Sequence, residues 1–249
     1  MQFAAASHVG LVRKVNQDGY VIQQESGKEH FVCVADGMGG HVAGEVASAL
    51  ALKIIQETLQ TTVADDPESR IRTAVLRANE QVYEQSAHTD MYAGMGTTIV
   101  TALIHGESMW IAHVGDSRAY LLRGNEELLQ LTEDHSLVNE LVRRGQIGPQ
   151  EAVHHPQRHM LTRALGTLPN VSVECRNVSW GSGDVLLICS DGLTTHVSDE
   201  QIYNILITVS DLQTKVDQLI QAALDNGGHD NVTVVAVLHA DRLEQEVYE

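Results

Sequence analysis

Three acidic steps at the margins of apolar runs are where this chain could do chemistry. Asp36-Gly37 closes the run over residues 30–35, Asp191-Gly192 closes the run over 184–190, and Asp230-Asn231 stands just before the run over 232–238. Asp116 lies in the tight Gly115-Asp116-Ser117-Arg118 turn, and Asp18 ends the polar loop Gly10-Leu11-Val12-Arg13-Lys14-Val15-Asn16-Gln17-Asp18. Adjacent strand tips would bring such carboxylates within a few ångströms of each other. Like charges that close raise one another's pKa and oppose folding unless something compensates them. Divalent cations do so, and an all-oxygen set without cysteine favours Mg²⁺ or Mn²⁺ over structural Zn²⁺. A carboxylate can bridge two ions, and a pair about 3.5–4 Å apart activates water and steadies the leaving oxygen in phosphoester hydrolysis. Asp36 is the expected bridge. Gly37, Gly39 and Gly40 beside it have no Cβ, so backbone groups there can approach a ligand closely.

Each residue also has an ordinary use. Asp-Gly after a strand is most often a turn, Asp191 suits a cap, His41 a helix start and Arg13 a surface ion pair. The histidines at 145–167 suit solvent. The combination carries the functional reading.

The elements that must position these residues follow from hydrophobic period. Residues 2–9, 19–24, 30–35, 97–105, 108–114, 119–122, 128–131, 171–178, 184–190 and 232–238 read as strands. Ser26-Gly27-Lys28 makes 19–24 and 30–35 an antiparallel hairpin. Apolar Val46, Ala49, Leu50, Leu52, Ile54 and Ile55 give a helix over 45–59. Asp66-Pro67-Glu68 starts a second, running to about 87, with an N-cap acid and Pro at its first position. Residues 136–144 form a short helix, Ser198-Asp199-Glu200-Gln201 is a capping box, and Asp211 opens a last helix. Two successive helices between blocks of strands argue for a layered α+β domain rather than strict βαβ alternation. Residues 145–167 lack periodicity, as functional or mobile segments often do. With no repeat or linker, one domain over 1–240 is expected, followed by an acidic tail at 241–249.

Composition bounds the partners. The 249 residues carry 33 acids against 16 Lys plus Arg, a formal charge of −17. That field repels nucleic acid, and phosphate chemistry inside it needs local cations. No run of about eighteen apolar residues predicts a membrane span, and the start Met1-Gln2-Phe3 has no signal-peptide pattern. Cys33, Cys175 and Cys189, odd in number and far apart, suit reduced thiols in the cytoplasm.

The ordered set of motifs resembles the type 2C, metal-dependent protein serine/threonine phosphatases in their compact bacterial form. The motifs are the Gly10–Asp18 loop, Val34-Ala35-Asp36-Gly37-Met38-Gly39-Gly40-His41, Gly96-Thr97-Thr98, Val114-Gly115-Asp116-Ser117-Arg118-Ala119-Tyr120, Leu131-Thr132-Glu133-Asp134-His135-Ser136-Leu137, Leu161-Thr162-Arg163-Ala164-Leu165-Gly166, Ser190-Asp191-Gly192-Leu193 and Gly228-His229-Asp230-Asn231-Val232-Thr233. The resemblance implies a four-layer αββα sandwich of two antiparallel sheets flanked by helices. It implies two Mn²⁺ or Mg²⁺ ions, with Asp36 bridging, the Gly37 carbonyl on one ion, Asp191 and Asp230 on the other, and Asp18 in support. Asp116 with Asp191 matches a weaker third site. Arg13 matches the phosphate-binding arginine and His41 the general acid, although animal members place their histidine where this chain has Met38. Residues 145–167 resemble the family's flap.

The expected enzyme hydrolyses phosphoserine and phosphothreonine with metal-activated water, as a cytoplasmic monomer whose partners are phosphoproteins and a Ser/Thr kinase. No cysteine has an arginine six residues on, which removes a cysteine-based phosphatase. Two rivals are a non-catalytic phosphoprotein-binding relative, which usually loses metal acids, and a two-metal phosphodiesterase, which usually adds histidine ligands.

Overall fold

The computed structural model describes residues 1–24, 29–40, 42–61 and 66–240. Its strands form two sheets. One runs β1 (Gln2–His8), β11 (Val232–Leu238), β10 (Val185–Cys189), β7 (Arg118–Arg123), β8 (Glu127–Gln130). The other runs β2 (Asp18–Gln24), β3 (His30–Met38), β5 (Ile99–His105), β6 (Ser108–Val114), β9 (Glu174–Ser179), with the short β4 (Gly96–Thr97) paired to the end of β3. Every pairing is antiparallel.

Side chains alternate across a strand, so each central strand has two faces to bury. Val32, Val34, Val100 and Ala102 meet Leu121, Leu186, Ile188, Val235 and Val237 between the sheets. The opposite face of one sheet, with Phe31, Cys33, Ala35 and Leu103, packs under α1 (Ala43–Thr61) and α2 (Pro67–His88). The opposite face of the other, with Leu187, Cys189, Val234 and Ala236, packs under α5 (Asp191–Thr194), α6 (Asp199–Leu206) and α7 (Leu212–Asp225). Burial on both faces is why these strands read as continuous apolar runs. The result is the expected four-layer αββα sandwich. Each fully buried Val, Leu or Ile contributes about 1.5–3 kcal/mol, so the frame can hold a cluster of like charges at one end.

The capping signals work as expected. Asp66 accepts from Glu68 N–H and Ser69 N–H ahead of Pro67. Ser198 and Gln201 form the capping box of α6, and Asp211 accepts from Thr214 N–H at the start of α7. Several details differ from the sequence reading: the run at 97–105 is split at Thr98 into β4 and β5, the strand expected at 171–178 spans Glu174–Ser179, and Asp191–Thr194 forms a short helix that was not expected. β3 continues past Asp36 to Met38 because β4 supplies a new partner, with Gly37 opposite Thr97 and Met38 opposite Gly96. Within 145–167 a five-residue helix, α4 (Pro149–Val153), follows α3 (Leu137–Arg143), and neither helix buries a residue. The turn Ser26-Gly27-Lys28, His41 and the tail at 241–249 lie outside the described residues. Among the described residues no helix is long and apolar enough to cross a membrane. All three cysteines are free.

Candidate active site

Antiparallel register delivers the acids to one end of the sandwich. Asp18 opens β2 directly opposite Asp36 on β3. Arg118 opens β7 opposite Cys189, the last residue of β10. Asp116 precedes the one and Asp191 follows the other, so both leave their sheet at the same edge. Ser190 N–H donates to Thr233 O at 3.0 Å, which brings the Asp230-Asn231 entry of β11 to that edge too. Arg13, Asp36, Gly37, Asp116, Asp191 and Asp230 line one cavity of about 840 Å³. Asp18 is set back from its wall, and Ser190 Oγ donates to Asp18 Oδ2 at 2.7 Å.

Burial and mutual repulsion act in the same direction on these carboxyls. Burial first, and then Asp191 and Asp230, push Asp18 up to about 7 despite its serine partner. Asp36 is raised well above the usual carboxylate range by burial and by Asp18, Asp191 and Asp116. Asp116 is raised by burial and by Asp191 and Asp134, and Asp191 by burial and Asp230. Asp18 Oδ1 is buried without a hydrogen-bond partner. A buried carboxylate oxygen without a donor, surrounded by other carboxylates, is a poor arrangement for protein alone and a good one for a hard cation. The residues fit divalent metal on that ground.

The backbone around the acids is fixed from several sides. Thr98 N–H donates to Asp36 O at 2.8 Å, and Asp36 N–H donates to Thr98 Oγ1 at 3.1 Å. Asn231 Oδ1 accepts from Gln17 N–H at 2.8 Å, while its Nδ2 donates to Val9 O and Val15 O at 2.9 and 3.0 Å. One amide therefore clasps both ends of the loop that carries Arg13. Arg13 Nη2 in turn donates to Asp230 Oδ2 at 2.8 Å. Gly192 is required by close approach, since a Cβ there would stand 1.9 Å from Asn231 O.

The structure thus brings together every sequence-predicted site residue except His41, which lies outside the described residues. The same cavity is lined by Gln17, Thr98, Arg158, His159, Thr195, His196, His229 and Asn231, none of which was assigned a role from sequence. Gln17, Thr98, His229 and Asn231 stand inside quoted motifs, so a signal existed. Arg158 and His159 come from the aperiodic 145–167 segment, which the sequence singled out as a whole but not by residue. His196 and His229 stack with ring centroids 5.3 Å apart at the rim. Asp36 and Asp191 lie within hydrogen-bond reach of each other, and Asp18 and Asp116 also press charge on Asp36. Among the described residues, the trio with ligand atoms gathered within 4.8 Å of one another is His113, His135 and Glu174, which is not part of the cavity lining.

Comparison with known proteins agrees with the geometry. The family model Protein phosphatase 2C matches residues 6–232. The serine/threonine phosphatase stp of Listeria welshimeri is 40% identical over 232 residues, covering 92% of this chain and 92% of that protein. Protein phosphatase PhpP of Streptococcus pneumoniae is 38% identical over 241 residues, covering 95% and 97%. A crystal structure of the catalytic domain of serine threonine protein phosphatase PstP in complex with two manganese ions superposes with a TM-score of 0.85 at 36% identity, covering 96% of this chain and 98% of that one. A layered fold, an acid-lined cavity and identity along nearly the whole length lead to one assignment: the chain belongs to the protein phosphatase 2C family of protein serine/threonine phosphatases.

Proposed function

We propose that this protein is a Mn²⁺- or Mg²⁺-dependent phosphatase that hydrolyses phosphoserine and phosphothreonine in proteins, using the acid-lined cavity as its active site. The observation that carries the proposal is the meeting of Asp36, Asp116, Asp191 and Asp230 in the lining of one cavity, with Asp18 behind them and its Oδ1 buried and unpartnered. Asp36, Asp191 and Asp230, with the Gly37 carbonyl and support from Asp18, would hold two divalent ions, and Asp116 with Asp191 a weaker third. When bound, such ions neutralise the clustered charge, attract phosphate oxygens and lower the pKa of water toward neutrality.

The chain's own residues do the rest. Arg13 lines the same cavity and offers paired N–H donors that match two phosphate oxygens. Asn231 and Thr98 hold Arg13's loop and Asp36 rigid, so the phosphate meets preset groups. His41 is the candidate for protonating the departing serine or threonine oxygen, a step typically worth about 10²–10⁴-fold. The partners proposed are phosphoproteins and a Ser/Thr kinase acting on them, the setting the cytoplasm, and the working state a monomer. Domain limits of 1–240, with a flap at 145–167, go with this reading.

The test is hydrolysis of p-nitrophenyl phosphate and a phosphothreonine peptide before and after metal removal. Chelation should abolish both, and Mn²⁺ should restore both. Turnover that survives thorough chelation would overturn the proposal.

A further inference from the structure

His113, His135 and Glu174 have the composition of a transition-metal site, but their hydrogen bonds exclude one. Gly115 N–H donates to His135 Nδ1 at 3.0 Å, so the ring proton is on Nε2. Nε2 faces Glu174 Oε1 at 3.0 Å, to which it donates, and it has no lone pair left for a cation. Arg163 Nη1 donates to the same Glu174 oxygen at 2.7 Å and lies 3.2 Å from His135 Nε2. A guanidinium there repels a metal ion. His113 stacks on His135 with centroids 4.7 Å apart and planes 16° from parallel, and its Nε2 donates to Glu133 O at 3.0 Å. Burial lowers the pKa of both imidazoles and keeps them neutral.

What the cluster holds is a turn. His135 N–H donates to Gly115 O at 3.0 Å, while His135 Nδ1 accepts from Gly115 N–H. One buried residue therefore satisfies both polar groups of the glycine that precedes Asp116. That glycine has φ +115°, and a Cβ on it would stand 2.6 Å from Thr98 Cβ, so the turn is pressed against the residue that binds Asp36 N–H. From the other side, Thr162 N–H donates to His135 O at 2.8 Å.

We infer that His135 is a positioning residue: its Nδ1 locks the Val114-Gly115 peptide, and with it the turn into Asp116, so that the Asp116 carboxylate faces the cavity, a role that rests on Asp116 belonging to the metal centre. Arg163 and Glu174 hold the ring from its far edge and tie the 145–167 segment to the same turn.

Asparagine and glutamine separate the two ends of the ring. Asn sets a polar group where Nδ1 was, whereas Gln reaches the Nε2 position and leaves Gly115 N–H without its acceptor. His135→Gln should weaken Mn²⁺ binding in calorimetry and lower kcat by about tenfold, within the 10–100-fold usual for groups that orient metal ligands. Its KM for p-nitrophenyl phosphate should change by no more than about twofold. His135→Asn should keep Mn²⁺ binding and kcat within about threefold of wild type. Asp116→Asn, measured alongside, separates the premises. If it leaves Mn²⁺ binding and turnover unchanged, Asp116 is not in the centre and the underlying reading fails. If it impairs them while His135→Gln matches wild type, the positioning role is overturned. Should His135→Gln not fold, His135→Asn decides: retained Mn²⁺ binding and turnover support the Nδ1 contact, and their loss overturns it.

Discussion

Asp18 and Asp36 stand directly opposite each other on neighbouring strands β2 and β3. Like charges in that position destabilise an antiparallel pair, and here both carboxyls have raised pKa values. The consequence for stability has a definite sign. Asp18 moves from an ordinary 3.8 to about 7 in the folded state, so folding favours its protonated form. That stabilisation is complete below the unfolded pKa and is lost as pH rises through the interval up to about 7. Metal-free protein should therefore melt lower at about pH 8 than at about pH 5, and Mn²⁺ should close most of the gap at the higher pH. Asp36→Asn should raise the metal-free Tm at high pH, by about 2–4 °C for each kcal/mol of repulsion removed, while shrinking the shift that Mn²⁺ produces. Differential scanning calorimetry at two pH values, with and without metal, decides it. A metal-free Tm that climbs with pH contradicts the argument.

Arg13 and Asp230 form an ion pair whose side chains are 53% and 38% exposed. Such pairs contribute about 0–1 kcal/mol, so stability is not the reason for an arginine at this place. Arg13→Ala should leave the Tm within about 2 °C of wild type. It should raise KM for phosphate esters by about tenfold with a smaller effect on kcat. Lysine should restore only part of the loss, because it lacks the planar fork. Steady-state kinetics on the three proteins test this, and an unchanged KM in the alanine variant would be fatal to the assignment.

How much was legible in the chain depended on how local each signal was. The Asp66-Pro67 and Ser198–Gln201 caps are satisfied within three residues, and both helices begin where those signals stand. The turn Gly115-Asp116 and the Asp-Gly steps at strand ends were equally readable, which is why the acidic wall was expected. The extension of β3 beyond Asp36 was not, because it depends on β4, some sixty residues away. Helix α4 has only five residues, too few for periodicity to register. Asn231 was visible as part of a motif, yet its work consists of bonds to Val9, Val15 and Gln17 more than two hundred residues away, and no window on the sequence contains both ends.

The cysteines allow a chemical check. Burial pushes Cys189 up to about 12 and Cys175 up to about 11, and it raises Cys33 as well. Thiols with pKa values that high hold almost no thiolate near neutral pH, and thiolate is the reactive form. Treatment with iodoacetamide at neutral pH should leave about nine-tenths or more of the activity, with mass spectrometry reporting little adduct at Cys33 or Cys189. Rapid inactivation matched by alkylation of one buried cysteine would mean that a thiol takes part in turnover.

Asn231 offers the sharpest separation of scaffold from chemistry. Its side chain is 5% exposed and makes three hydrogen bonds to the loop that begins at Val9 and carries Arg13. Truncation to alanine leaves one N–H and two carbonyls to find other partners, and an unsatisfied buried group costs about 1–3 kcal/mol. Asn231→Ala should therefore lose roughly 3 kcal/mol in urea unfolding, whereas Asn204→Ala, exposed on α6, should stay within about 0.5 kcal/mol. Because the released loop holds Arg13, the same variant should also raise KM for p-nitrophenyl phosphate, in the direction of Arg13→Ala but at reduced stability. Metal binding near Asp230 should weaken too, since Asn231 N–H donates to Asp230 Oδ1 at 2.9 Å and a loosened backbone no longer presents that carboxylate squarely. An Asn231→Ala protein with the urea midpoint and KM of wild type would show that the clasp does not position Arg13.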